Sequence, residues 1–174
     1  LRTIARGTPG FSGADLANVV NEAALIAVRD SLDEVDQNCL EMAVEKVAYG
    51  SEMKSRKQDE KELENTAWHE SGHAILGLVL DNNAEIDKVT IVPRSKSLGH
   101  VSFLSEEKHS TKSQLLNSIC ISLGGRIGEE IRFGDYTPGA VSDIGKATSI
   151  ARKMVTRWGM SDLGLLNLDN ISDG

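Results

Sequence analysis

Two histidines four residues apart, with a glutamate directly after the first, carry the chemistry legible in this chain: His69-Glu70-Ser71-Gly72-His73. On a helix, residues i and i+4 stand one above the other, so the imidazoles of His69 and His73 can reach a single metal ion. Glu70 lies about 100° around such a helix from His69. That direction suits a general base acting on a metal-held water better than it suits a ligand. The pattern predicts zinc-assisted hydrolysis with one Zn2+ per chain, and a third ligand from elsewhere in the sequence.

Catalytic zinc takes three protein ligands and keeps one position open for water. The chain has four histidines, so the remaining candidates can be weighed singly. His100 heads a β-rich run, and His109 lies in the polar stretch Glu106-Glu107-Lys108-His109-Ser110. Glu129 and Glu130 fall on a helix, as the downstream glutamate does in one large class of zinc peptidases. Asp143 opens a helix after Thr137-Pro138-Gly139-Ala140-Val141-Ser142, where an aspartate is equally a helix cap. Residue reasoning alone leaves the choice open.

The elements that must position these groups are mostly helical. Asp59-Glu60-Lys61-Glu62 places acidic residues in a first turn, and no proline follows before Leu80, so the motif sits on one long helix. From Ala74 to Leu80 every residue is apolar or glycine, which predicts a half buried on all sides. Gly72 and Gly77 weaken that helix and predict a second backbone packed closely against it. Asp81-Asn82-Asn83 breaks it. Upstream, Ser12-Gly13-Ala14-Asp15 reads as a capping box for a helix to about Asp30, with Leu16, Val19, Val20, Ala23, Ala24 and Ala27 inward. A second helix is expected from Asp33 to about Ala48, burying Val35, Cys39, Met42, Ala43 and Val47. Residues 88–93 and 100–104 read as an antiparallel hairpin whose edge could hold a peptide as an added strand. Ser110 or Thr111 caps the next helix, in which Leu115, Ile119, Leu123, Ile127 and Ile131 recur every four residues and predict a central core helix ending at Gly134. The last helix begins at Ser142 or Asp143, carries Ile144, Ala147, Ala151, Met154, Val155 and Trp158 and stops at Gly159. The charged stretch 51–60 reads as a linker between residues 1–50 and 61–174. The expected fold class is mainly α, with one small antiparallel β-hairpin.

Composition sets limits. A formal net charge of -7 argues against nucleic acid or anionic lipid as a main partner. Cys39 and Cys120 lie far apart and form no C-x-x-C, so neither a disulfide framework nor a thiolate metal site is expected, and both read as small apolar fillers. The longest run of apolar or glycine residues, 74–80, is far short of the roughly 20 residues that span a bilayer. The chain opens on Leu1-Arg2-Thr3-Ile4 without a signal pattern and reads as a piece of something longer.

Several ordered motifs resemble one family. His69-Glu70-Ser71-Gly72-His73-Ala74, Lys88-Val89-Thr90-Ile91-Val92-Pro93-Arg94 with Leu98-Gly99, Gly124-Gly125-Arg126 with Glu129-Glu130, Gly139-Ala140 with Asp143-Ile144, and Ala151-Arg152-Lys153-Met154-Val155 with Trp158-Gly159-Met160 are together similar to the FtsH family of membrane-anchored AAA proteases. Thr8-Pro9-Gly10-Phe11-Ser12-Gly13-Ala14-Asp15-Leu16 resembles the helical lid that closes that family's AAA module. The resemblance implies that residues 1–50 are the end of the lid and that 61–174 belong to the zinc peptidase. It implies that Asp143 completes the ligand set, and that Gly13 and Ala14 match positions near the nucleotide. It further implies a homo-hexameric ring anchored in a bacterial inner membrane or an organellar equivalent, fed unfolded or membrane proteins by an ATP-driven unfoldase. Trp68 stands where that family favours tyrosine and Ser71 where it favours alanine, while Pro138, Val141 and Ser142 alter the turn ahead of Asp143. The chain has no G-x-x-x-x-G-K-[ST] phosphate loop, so ATP is expected only in the full-length protein. Two rival readings remain open: a non-catalytic zinc-braced ring-assembly module, and a stand-alone zinc peptidase with a glutamate third ligand.

Overall fold

The computed structural model describes residues 2–53, 55–80, 85–104 and 110–168. Among these, the elements run α1 (Arg2–Arg6), α2 (Gly13–Arg29), α3 (Gln37–Tyr49), α4 (Glu60–Leu80), β1 (Glu85–Thr90), β2 (His100–Leu104), α5 (Lys112–Phe133) and α6 (Val141–Thr156), with a 3-10 turn at Pro138–Ala140. The fold is mainly α with one two-stranded antiparallel sheet, as the periodicities predict. The expected break at Asp81-Asn82-Asn83 and His109 lie outside the described residues. No helix among the described residues is long and apolar enough to cross a membrane.

The chain forms two compact units. One takes α1 to α3, the first turns of α4 to Thr66, and the hairpin; the other takes α4 from Ala67, then α5, the 3-10 turn and α6.

In the first unit, Ser12 accepts the amide of Asp15 while the Asp15 carboxylate accepts the amide of Ser12, closing the expected capping box on α2. The buried stripe is Val19, Ala23, Ile26 and Ala27, packed on Cys39 and Ala43 of α3. Leu16, Val20 and Ala24, expected inside, are exposed, and Ile26 takes their place. The stripe is narrower than composition suggests because α3 covers only one side of α2. Helix α3 starts later than expected: Asp36, not Asp33, is the cap and accepts the Cys39 amide at 2.8 Å, which leaves Val35 in an exposed loop.

The hairpin also shifts. β1 runs Glu85–Thr90 and pairs with β2 from Glu85 opposite Leu104 to Thr90 opposite His100, with an irregularity between Ile86 and Lys88. Ile91, Val92 and Pro93 leave the ladder despite their β propensity; the Val92 amide turns back onto Thr90 Oγ1 at 3.1 Å, and Pro93 has no amide proton to give.

In the second unit, the close backbone approach predicted at Gly72 is present. A Cβ on Gly72 would strike the Gly124 carbonyl, and one on Gly124 would lie 2.6 Å from the Gly72 oxygen, so α4 and α5 cross glycine against glycine. This crossing overturns the expected core face of α5. Its buried residues are Ser122, Gly124, Gly125, Gly128 and Glu129, whereas Ile127 and Ile131 are 46% and 75% exposed. A helix that meets its neighbour through backbone must turn its smallest side chains inward, so the large apolar stripe lies off that face, with Leu115, Ile119 and Leu123 half-buried and its last two members exposed. The same limit applies to α4, where Ile75, Leu78 and Val79 are exposed although the whole run was expected to be buried. Helix α5 begins with a capping box of Thr111 and Gln114 and ends at Gly134 in the left-handed region, φ 67°. Cys120 is exposed and only Cys39 is a buried filler. Helix α6 begins at Val141 and buries Ala147 and Met154, while Ile144, Val155 and Trp158 are exposed.

Candidate metal centre

Helix α4 opens where acidic residues favour it: Asp59 Oδ1 accepts the Glu62 amide at 2.8 Å. It then carries His69 and His73 onto one face, as the four-residue spacing requires. Their Nε2 atoms lie 3.1 Å apart. Asp143, in the first turn of α6, brings Oδ2 to 3.3 Å from Nε2 of His69 and 3.6 Å from Nε2 of His73. Three ligand atoms held about 2.1 Å from a tetrahedral cation must stand roughly 3.4 Å from one another. The three separations bracket that value, so one ion fits between them. Among the described residues, His69, His73 and Asp143 form the one group able to hold a metal in this way.

The other nitrogens show which tautomers are present. His73 Nδ1 lies 2.7 Å from the carbonyl oxygen of Ile121. A carbonyl only accepts, so Nδ1–H donates and Nε2 of the neutral ring keeps its lone pair. His69 Nδ1–H donates in the same way to Glu129 Oε1 at 2.6 Å. Both free lone pairs thus belong to the nitrogens nearest Asp143.

Glu129 is 1% exposed and faces the Nδ1 side of His69, away from the three gathered atoms. Its second oxygen accepts the Thr137 amide at 2.7 Å, and Thr137 Oγ1 caps the 3-10 turn through the Gly139 amide. That turn leads directly into α6. One carboxylate therefore ties His69 to the segment that delivers Asp143, across 60 residues of sequence. Burial opposes its charge, but the Thr137 amide and the His69 ring outweigh that and hold Glu129 below the usual carboxylate range.

Asp143 is not spent as a cap. The N-cap of α6 is Ala140, which makes no side-chain cap bond. Burial would raise the Asp143 carboxyl, yet when the two rings are protonated their Nε2–H bonds and charge outweigh it and hold the carboxyl far below its ordinary value; in the neutral rings the same Nε2 atoms carry lone pairs open to a cation. His69 shows the reverse: burial works against its proton, and Asp143 with Glu129 overcomes it and raises the ring's pKa. Glu70 is buried, and that burial raises its carboxyl against the opposing pull of the histidines. The result is a carboxylate more basic than a surface glutamate, one residue from His69.

Gly125 supplies the remaining fit. A Cβ there would run into both imidazoles, 2.5 Å from His73 Nε2. Only a bare backbone lets α5 pass this close to the ligand atoms. The other candidates sit elsewhere: Glu130 is exposed on α5, and His100 is in the hairpin, stacked on Tyr49 with ring centroids 3.7 Å apart. No glutamate joins the group formed by His69, His73 and Asp143 among the described residues. Reading by residue type missed the roles of Glu129, Thr137 and Gly125; a lone glutamate on a face otherwise made of Ser122, Gly125 and Gly128 was the available signal. Gly13 and Ala14 lie in the first turn of α2, in the other unit.

Residues 56–174 match the family model of peptidase family M41, and residues 1–42 match that of the AAA+ lid domain. The chain is 49% identical over 170 residues to the ATP-dependent zinc metalloprotease FtsH 2 of Methylacidiphilum infernorum, covering 96% of this chain and 26% of that protein. It is 48% identical over 171 residues to the ATP-dependent zinc metalloprotease FtsH of Rubrobacter xylanophilus, covering 97% of this chain and 26% of that protein. The corresponding protein of Caulobacter vibrioides is 50% identical over 167 residues, 94% of this chain and 27% of its own length. The chain thus spans about a quarter of the length of these relatives.

Proposed function

The chain belongs to peptidase family M41, and from that premise we propose that it carries the hydrolytic centre of an ATP-dependent zinc endopeptidase. The observation that supports this most strongly is the convergence of His69 Nε2, His73 Nε2 and Asp143 Oδ2 at separations of 3.1, 3.3 and 3.6 Å. These three would hold the ion. Bound there, Zn2+ would supply a water with its pKa lowered toward about 7 and would polarise the scissile carbonyl. Glu70, next to His69, accepts the proton of the attacking water and passes it to the departing amine nitrogen. Glu129 keeps the His69 ring turned, with the proton of the neutral ring on Nδ1 and its lone pair on Nε2.

In the whole protein, residues 1–50 would be the end of the AAA lid, 51–60 a linker and 61–174 the peptidase. Gly13 and Ala14 would approach the nucleotide of a motor whose phosphate loop lies outside this chain. The substrates would be unfolded or membrane proteins, delivered to a homo-hexameric ring held at a membrane by segments other than these. Replacing Glu70 with glutamine in the intact ATP-driven protein should cut hydrolysis of an unfolded protein by at least about a hundredfold, the usual worth of a positioned base, while leaving one zinc per chain. Cleavage retained at the original rate would refute the assignment.

A further inference from the structure

The family models divide the chain one way and its packing divides it another. The hairpin falls within the span matched to the peptidase family, residues 56–174, yet it packs in one unit with the lid helices. The connection is made at residues 49–53, which follow the lid match and precede the peptidase match.

These residues are not a free linker. Three backbone hydrogen bonds join them to the loop between the strands: Lys96 N–H to Tyr49 O at 3.2 Å, Ser95 N–H to Ser51 O at 3.0 Å, and Met53 N–H to Pro93 O at 2.9 Å. Glu52 and Arg94 form an antiparallel bridge in the middle of this pairing. Side chains extend it. Glu45 of α3 takes both Lys88 of β1 and Arg94, and Glu45 and Arg94 are 14% and 11% exposed. Arg94 also donates to Gly50 O at 3.3 Å, and Lys96 Nζ lies 3.4 Å from the carbonyl oxygens of Val47 and Ala48 in the last turn of α3. His100, 6% exposed at the head of β2, stacks on Tyr49 at an interplanar angle of 14°. Gly50 stands at φ 84°, and a Cβ there would collide with Ser95 Oγ. An L side chain is strained at this φ whatever the space, and here the Ser95 side chain also fills that space.

We propose that residues 49–53 and 93–97 form a latch that locks the β1–β2 hairpin onto lid helix α3, so that a peptide held along the hairpin edge is moved by the lid itself. The peptide-holding role of the hairpin rests on the peptidase reading above, whereas the latch stands on its own contacts. Removing the charge of Glu45 strands a largely buried guanidinium, and a methyl group at Gly50 pushes the loop off.

The test is hydrogen exchange on the whole chain, with zinc content measured on the same samples. Glu45→Gln and, separately, Gly50→Ala should each speed exchange of the hairpin amides, residues 85–104, by at least about tenfold, since local opening sets that rate. Amides of residues 67–80 and 112–133 should keep their original rates. Arg94→Gln added to Glu45→Gln should cost less than the two single changes summed, because the pair acts as a unit. Hairpin protection unchanged by both single variants would overturn the latch. An unmodified chain that binds no zinc would overturn the peptidase reading while leaving the exchange result to decide the latch.

Discussion

Which nitrogen of His69 is free to bind a metal depends on a carboxylate on the other side of the ring. Glu129 accepts from Nδ1 at 2.6 Å, fixing the ring's tilt and leaving the lone pair on Nε2. It also grips the Thr137 amide, so the same side chain sets where the Asp143 turn begins. Glu129→Gln preserves size but removes the charge, and orienting partners of this kind are worth roughly 10–100-fold in metal affinity. Titration against a chromophoric chelator should show a loss of that order with unchanged helical content; unaltered affinity would mean that the ligands orient themselves. Much of this site was legible from residue types, because a four-residue histidine spacing is a local fact. Asp143 was legible only through resemblance, since an aspartate near a helix start is equally a cap, and only the structure shows Ala140 occupying that position instead. The role of Glu129 was hidden because its partners are distant in sequence.

The elements show the same division between local and remote causes. Capping boxes at Ser12 and Thr111 are visible in sequence because both partners lie within one turn. The inward face of α5 is not, because apolar periodicity at Ile127 and Ile131 reports an apolar stripe without saying what covers it. Glycines decide that face instead. Gly72→Ala would place a methyl group against the Gly124 carbonyl and force α4 and α5 apart. Overpacking of this kind costs about 1–3 kcal/mol, and a lowered melting temperature together with weakened zinc binding should report it; a variant as stable as the original would mean that the helices do not need this contact. The hairpin carries a pH response of its own. Burial pushes His100 below its ordinary value, against the pull of Glu45 and Asp87 and with the help of Arg94 and Lys88. Its ring is therefore neutral when folded, whereas the unfolded chain takes up the proton near about pH 6.5. The stability it contributes is full above that pH and falls as the solution becomes more acidic. Hairpin amides should exchange faster at pH 5.5 than intrinsic rates explain, and His100→Phe, which keeps a flat ring beside Tyr49, should remove the difference. A pH response that survives His100→Phe would assign it to another group.

At the scale of the molecule, two units divide the labour: the lid helices with the hairpin form one, and the crossed helices bearing the metal centre form the other. Helix α4 belongs to both, passing from one to the other between Thr66 and Ala67. The mainly helical class and the single hairpin were legible from periodicity. The assignment of the hairpin to the lid unit was not, because it depends on pairing between residues 49–53 and 93–97, which are far apart in sequence and carry no local signature. The central claim remains the metal centre, and anomalous diffraction at the zinc edge from zinc-loaded crystals of the chain tests it most directly. The account predicts one peak per chain, bonded at about 2.0–2.2 Å to Nε2 of His69, Nε2 of His73 and a carboxylate oxygen of Asp143, with water in the fourth position. A peak bonded by Glu129 in place of Asp143, or closed by a fourth protein ligand, would contradict it.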